Sequence, residues 1–360
     1  MPLSILIAGG GTGGHLYPGI AVARALLARV PDATVTFVGT AAGIEARVVP
    51  REGFTLDVIR SAGLKGKSLM SLARGMSLLP ASALDAWGVI SRRRPSVVLG
   101  VGGYSSGPVV ALAAVRGVPT LLMEQNAVPG LTNRLLARFV SAAAVTYGES
   151  ISFFGQKSFV SGNPVRPEFF EEAYEQQSSP PGAARVLVFG GSQGAHAINM
   201  AMVEAASRLA AGAPRMAITH QTGERDLEVV RDGYRRAGLE ARVEPFLFAM
   251  DREMKSADVV VCRSGATTLA ELTAARRASI LVPFPQATDD HQRKNAEALV
   301  KQGAARMVEQ RELNGDRLAA EILALTSDEG QRQRMAEAAG RMARPDAARV
   351  IVDKILELAP

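Results

Sequence analysis

Ser4-Ile5-Leu6-Ile7-Ala8-Gly9-Gly10-Gly11-Thr12-Gly13-Gly14-His15 runs a short apolar segment straight into a cluster of glycines closed by a histidine. The apolar part suits a buried strand, and the stretch from Leu16 to Arg29 carries the apolar period of a helix. Strand, glycine loop and helix in that order form the opening unit of a parallel α/β sheet. Glycine lets the backbone turn sharply and approach a ligand, and amides at a helix start attract phosphate. The same plan returns at Arg185–Phe189, followed by Gly190-Gly191-Ser192-Gln193-Gly194-Ala195 and a helical segment Ala197–Ala211. Two such openings in one chain predict two Rossmann-like units.

Outward from these openings, strands are expected at Thr34–Val38, Ser96–Val101, Thr120–Glu124 and Ala142–Thr146 in the first half. Met216–Thr219, Val243–Phe246, Asp258–Cys262 and Ser279–Val282 complete the second set. The polar stretch Glu171–Gly182 lies close to the midpoint, and the join is placed near Asn163–Pro164. A length of 360 residues exceeds the usual size of one domain and agrees with two.

Composition narrows the function classes. With 47% hydrophobic and 21% charged residues the chain is that of an ordinary globular protein. Cys262 is the single cysteine, so no intramolecular disulfide forms and a reducing compartment is expected. The first residues lack the pattern of a secretory signal, and no stretch approaches the ~18–20 apolar residues of a spanning helix. The expectation is a soluble or peripheral cytoplasmic protein. A net charge of +6 favours anionic partners, while 5% aromatic residues without basic–aromatic alternation disfavour nucleic acid.

Each glycine motif carries rival readings. Gly9, Gly11 and Gly14 satisfy dinucleotide spacing, but the second strand ends Phe37-Val38-Gly39-Thr40 without the acid that holds a ribose, which weakens an NAD reading. Gly190-x-Ser192-x-Gly194 matches a nucleophile elbow, so a serine hydrolase using Ser192 is the rival from another class; it leaves the first half without a task. In Val259–Glu271, a strand ends at Cys262 and Ser264 or Thr267 is placed to cap a helix whose amides suit a diphosphate. Glu271, two turns in, suits a ribose diol. Gly100–Pro108 is a further glycine-rich strand end, whereas Gly63–Ser68 fails the P-loop spacing at Ser61. Of four histidines, His15 closes a phosphate-type loop and is the candidate base; no histidine or cysteine group has metal-ligand spacing.

Six motifs then stand in order: Gly10–His15, Gly102-Gly103-Tyr104, Glu124-Gln125-Asn126, Gly162–Arg166, Gly190–Ala195 and Cys262–Ala266. Over nearly the whole chain they resemble the MurG-type transferases of bacterial peptidoglycan synthesis, glycosyltransferase family 28. The resemblance implies a GT-B fold, two Rossmann-like doubly wound parallel-sheet domains facing across a cleft. Residues 1–163 plus about 344–360 would take the acceptor, and 164–343 would bind UDP-N-acetylglucosamine; the last helix, about Asp346–Leu358, would return to the first domain.

By the same resemblance, the activity is inverting transfer of N-acetylglucosamine to the C4 hydroxyl of undecaprenyl-pyrophosphoryl-muramoyl-pentapeptide, with no cofactor and no metal. His15 would be the base. Donor contacts would come from Ser192, Ala266, Thr267, Thr268, Leu269, Ala270, Glu271, Arg166 and Gln292, with the Leu247 backbone reading uracil. Thr12, Gly13, Gly14 and Asn126 would reach the donor from the first domain, and Gly102, Gly103 and Tyr104 would hold the acceptor with His15. A related transferase acting on another lipid is the alternative within the fold.

Two departures accompany the resemblance. Phe248-Ala249 stand where acidic residues are expected, and the stretch Phe284–Asn295 is one residue longer before its glutamine. Between Leu64 and Trp87, Leu69, Met70, Leu72, Met76, Leu78, Leu79 and Leu84 mingle with Lys65, Lys67 and Arg74, followed by Arg92-Arg93-Arg94. Apolar area beside basic charge suits an anionic membrane surface, with a core-packing helix bearing a solvated basic edge as the alternative. The resemblance, through its lipid-linked acceptor, implies membrane contact at the cytoplasmic face of the inner membrane and other wall-synthesis proteins as partners.

Overall fold

A computed structural model describes residues 2–61, 78–171, 183–191, 193–212 and 215–360. Ser192, most of the basic–apolar stretch from Leu64, and most of the polar stretch from Glu171 lie outside them. The chain divides into two units, Met1–Val165 with Arg344–Pro360, and Arg166–Ala343.

The first unit contains seven strands: β1 (Ser4–Gly9), β2 (Thr34–Gly39), β3 (Thr55–Val58), β4 (Val97–Gly102), β5 (Thr120–Glu124), β6 (Ala142–Val145) and β7 (Ser158–Val160). They lie in the order β3-β2-β1-β4-β5-β6-β7, with every pair parallel. Along β1, Ile5 and Ile7 enter one core with Val97, Leu99 and Leu121; Leu6 and Ala8 enter another with Val98, Leu122 and Val110. Successive side chains of a strand point to opposite faces, so β1 is apolar throughout because both faces are covered. The last helix, Ala347–Leu358, covers one face: Ile351, Val352 and Ile355 join Ile5, Ile7 and Leu16, and Arg29 pairs with Asp353.

The second unit repeats the plan with β8 (Ala184–Phe189), β9 (Met216–Gln221), β10 (Ala241–Glu244), β11 (Val259–Cys262), β12 (Ala278–Leu281) and β13 (Arg306–Met307). Their order is β10-β9-β8-β11-β12-β13, again all parallel. Val186, Val188, Val259, Val261 and Ile280 pack against the helices His196–Ala211 and Gly315–Ser327 through Ile198, Met202, Leu318 and Ile322.

Each sheet reverses its strand order once, between β1 and β4 and between β8 and β11. At such a point the connections on either side lead to opposite faces, leaving an opening beyond the carboxyl ends of the strands where ligands bind. The glycine-rich motifs sit at the ends of β1, β4 and β8, and the Cys262–Ala266 turn sits at the end of β11.

Candidate active site

In the first unit, β1 ends at Gly9 and the helix Gly13–Arg29 begins after Thr12, with His15 in its first turn and half-buried. The neighbouring strand β4 delivers Gly102, Gly103 and the exposed Tyr104 to the same end of the sheet. The two loops are joined: the Gly10 amide donates to the Gly102 carbonyl at 3.2 Å. Gly103 has φ of +84°, and a Cβ there would stand 2.2 Å from the Gly10 oxygen, so no side chain fits. His15 packs on Gly102 so closely that a Cβ there would lie 2.6 Å from its Nδ1. Thr12, Gly13, Gly14, His15, Gly102, Gly103 and Tyr104 are therefore brought to one strand edge.

Asn126 follows β5, the next strand, and is held by Glu124. One Glu124 oxygen accepts from the Asn126 amide at 3.0 Å and from its Nδ2 at 3.1 Å. The other accepts from the Gly130 amide at 3.1 Å and from Asn133 Nδ2 at 2.8 Å. Ser150 Oγ donates to the carbonyls of Asn126 and Ala127. Four donors on one buried carboxylate fix this loop.

Not every amide of the first loop is available to a ligand. Gly11 N–H donates to Glu45 Oε2 at 2.8 Å. The acid missing from the end of β2 comes six residues later, from the helix Glu45–Arg51, and reaches back to Thr40. Sequence reasoning passed over Glu45 because it looked for the acid on the strand itself.

In the second unit, the loop after β8 meets the end of β9. Gly191 O accepts from the Gly194 amide at 2.9 Å and from Gln221 Nε2 at 2.8 Å. Gly194 has φ of +73°, and a Cβ there would stand 1.8 Å from the Thr222 carbonyl. The helix His196–Ala211 starts immediately after. Asp226 accepts from His196 Nδ1 at 3.0 Å and from Asn199 Nδ2 at 2.8 Å, and Asn199 also donates to Thr222 O. Burial pushes the Asp226 carboxyl up, but Asn199 and His196 prevail and hold it below its ordinary value. Asn199 Oδ1 lies 3.0 Å from Nε2 of the buried His220, whose pKa burial lowers to about 3, so that ring is neutral.

After β11 the chain turns through Arg263, Ser264 and Gly265 into the helix Ala266–Ala275. The cap is Gly265, not Ser264 or Thr267: no side chain caps this helix, and the buried Ser264 Oγ donates instead to the Gln292 carbonyl at 2.8 Å. Ala266, Thr267 and Thr268 form the first turn, whose amides project from the helix end, with Leu269 and Ala270 behind them. Arg263 is committed to structure, donating to the carbonyls of Val282 and Pro283 and to Gln310 Oε1 at 2.7 Å. Burial lowers its pKa to about 10, which leaves it cationic at neutral pH.

Burial raises the Glu271 pKa to about 7; Arg166 opposes this and Asp251 adds to it. Arg166 is exposed and lies over the Phe169 ring at 5.1 Å. Leu247 is buried in the loop after β10, between the exposed Phe246 and Phe248, whose rings meet edge-on at 4.9 Å. Gln292 Oε1 accepts from the Phe284 amide at 3.0 Å. Ahead of Gln292, Asp289 and Asp290 are both left-handed, with φ of 54° and 56°. Aspartate tolerates that region better than most residues.

Two parallel-sheet units, each with a glycine loop and an adjoining helix start at its switch point, have the architecture of the GT-B fold. The chain belongs to glycosyltransferase family 28: residues 5–145 match its N-terminal domain and residues 185–351 its C-terminal domain. The UDP-N-acetylglucosamine--N-acetylmuramyl-(pentapeptide) pyrophosphoryl-undecaprenol N-acetylglucosamine transferase of Anaeromyxobacter dehalogenans (strain 2CP-C) is 50% identical over 357 residues, 99% of this chain and 93% of its own length. The protein of the same name from Pelobacter propionicus is 50% identical over 376 residues, covering 98% of this chain and 99% of its own. The crystal structure of Acinetobacter baumannii MurG superposes with a TM-score of 0.82 at 29% identity, over 99% of this chain and 100% of that one. At 12% identity, a Neisseria meningitidis UDP-GlcNAc 2-epimerase bound to UDP-GlcNAc shares the fold, with a TM-score of 0.69 over 99% of this chain and 98% of its own.

Proposed function

We propose that this chain transfers N-acetylglucosamine from UDP-N-acetylglucosamine to the C4 hydroxyl of undecaprenyl-pyrophosphoryl-muramoyl-pentapeptide. The observation that carries the reading is the near full-length identity of 50% to transferases of that name, together with glycine loops at both switch points. The second unit takes the donor. The helix start at Ala266–Thr268 faces the diphosphate with amides and the positive end of the helix dipole. Glu271 accepts from the ribose hydroxyls, the Leu247 backbone reads uracil, and Arg166, Gln292 and Ser192 complete the contacts.

The first unit takes the acceptor at Gly102, Gly103 and Tyr104, with His15 as general base. His15 removes the proton of the C4 hydroxyl, and that oxygen attacks the anomeric carbon from the face opposite the diphosphate. The new glycosidic bond forms as the bond to the phosphate oxygen breaks, so configuration inverts and UDP leaves with its charge on the helix amides. No metal or cofactor takes part in this reading, because amides and arginine meet the charge that develops.

The acceptor is a lipid, and the first unit has a surface suited to a membrane. Leu84, Trp87, Val115, Leu135 and Phe139 are exposed on the adjoining helices Leu79–Arg93, Ser106–Val115 and Leu131–Leu136 and the turn after the last. Arg116, stacked on Trp87 at 4.5 Å, and the exposed Arg134 and Arg138 supply positive charge beside them. No helix among the described residues is long and apolar enough to cross a membrane; the contact proposed, at the cytoplasmic face of the inner membrane, is a peripheral one through this surface.

The test is transfer of labelled sugar from UDP-N-acetylglucosamine to a short-chain lipid-linked muramoyl-pentapeptide, with EDTA present. Product is expected. Tight donor binding without product would move the function to another lipid acceptor, and activity lost to EDTA but restored by a divalent cation would refute metal independence.

A further inference from the structure

Glu45 has a task that neither the motifs nor the reaction assigns. Its side chain is 1% exposed, and its carboxylate accepts from Gly11 N–H at 2.8 Å, Thr40 N–H at 2.8 Å and Thr40 Oγ1 at 2.9 Å. Three glycines from three segments make room for it. A Cβ on Gly10 would stand 2.4 Å from its carboxyl carbon, one on Gly39 2.3 Å from its Cγ, and one on Gly43 2.2 Å from both oxygens. The chain therefore keeps side chains away from this carboxylate on three sides while bringing backbone donors to it.

The consequence runs to His15. Gly10 and Gly11 are held by Glu45 on one side, and the Gly10 amide is bonded to Gly102 O on the other. Gly102 is the backbone against which the His15 ring packs. Burial pushes the Glu45 carboxyl up, but the Gly11 and Thr40 amides outweigh it and the pKa stays below the ordinary value. At neutral pH a full negative charge thus stands behind the loop and engages the Gly11 amide. An anionic ligand would meet repulsion at this point, so orientation rather than phosphate binding is what the loop here supplies.

We propose that Glu45 is a positioning residue, clamping loop 9–12 between β2 and β4 so that the His15 ring is held in one place for proton removal. The inference deepens the proposed function and rests on its assignment of His15. Glu45→Gln keeps the shape but turns an amide NH2 toward groups that are themselves donors. Gly39→Ala keeps the charge but drives the side chain out, at a position whose backbone is not left-handed.

The experiment uses the full chain and two readouts, hydrogen exchange of segment 9–17 and steady-state transfer, both well below the melting temperature. In both variants exchange of 9–17 is expected to rise about tenfold or more, because charge-assisted bonds restrain it. Turnover should fall roughly 10- to 100-fold while the Michaelis constant for UDP-N-acetylglucosamine stays within about twofold. Full turnover in either variant, even with a lowered melting temperature, would mark Glu45 as structural only and overturn the proposal. So would unchanged exchange. Exchange needs no substrate, so a wild-type chain that fails to transfer would count against the proposed function, and exchange alone would decide the clamp.

Discussion

Glu271 offers the sharpest test of the donor site, because its ionisation is set against its proposed task. Burial holds its pKa near 7, whereas a carboxylate that accepts two ribose hydroxyls must be ionised. Donor binding should therefore expel a proton, roughly half an equivalent at pH 7 and close to one at pH 6. The diphosphate diester of the donor does not titrate in this range. Wild-type affinity should weaken about tenfold from pH 8 to pH 6, because only about a tenth of Glu271 is ionised at the lower pH. Glu271→Gln should remove this pH dependence and weaken binding at pH 8 by roughly 10- to 100-fold, the scale of one or two charge-assisted bonds. Stability moves the other way. The folded pKa of about 7 lies above the ordinary 4.5, so the folded chain binds the extra proton between those values. Stability is consequently lost as pH rises through that window, up to a limit on the order of 3 kcal/mol above pH 7. Without ligand, the glutamine variant should melt several degrees higher than wild type at pH 8 and at the same temperature near pH 4.5. Calorimetry in two buffers of different ionisation enthalpy counts the protons, and a thermal scan gives the melting shift. Wild-type affinity that stays flat from pH 6 to pH 8 would refute the ribose role.

Two further outcomes are expected. His15→Ala should cut turnover by roughly 10²–10⁴ while leaving donor affinity nearly unchanged, as measured by single-turnover kinetics beside calorimetry; full rate would remove His15 from the mechanism. Trp87→Glu should reduce binding to vesicles rich in anionic phospholipid by roughly 5- to 100-fold in a sedimentation assay and leave the melting temperature within about two degrees, since Trp87 is 52% exposed. Equal vesicle binding would locate the membrane contact elsewhere.

The fold class was readable because the central strands have both faces covered and so appear as unbroken apolar runs between glycine loops. The strands that sequence reading did not mark are β3, β7 and β13, all at sheet edges and only partly buried. With one neighbour and partial cover, Thr55–Val58 and Ser158–Val160 have no apolar run to betray them. The segment expected at Val243–Phe246 lies at Ala241–Glu244 for a similar reason: β10 is an edge strand, and the apolar Phe246 and Leu247 belong to the loop beyond it. The glycine loops were legible because several glycines at a strand end have a strong backbone reason. The side chains that brace them were not. Glu45, and the pairing of Asp226 with His196, depend on groups that only folding brings together.

The buried and half-buried carboxylates at these strand ends separate architecture from ligand binding. Glu45 and Glu124 are surrounded by protein donors, three and four respectively, so each braces a loop and has little capacity left for substrate. Glu271 is half-buried, no donor among the described residues bonds to it, and its pKa moves up where that of Glu45 moves down. A desolvated carboxylate without donors is costly unless something else supplies them. Two hydroxyls on adjacent carbons of a ribose would meet that need. Burial alone therefore does not separate a bracing acid from a ligand-binding one at these strand ends; hydrogen-bonding capacity left open by the protein does, and it is the ground on which the ribose role is proposed for Glu271.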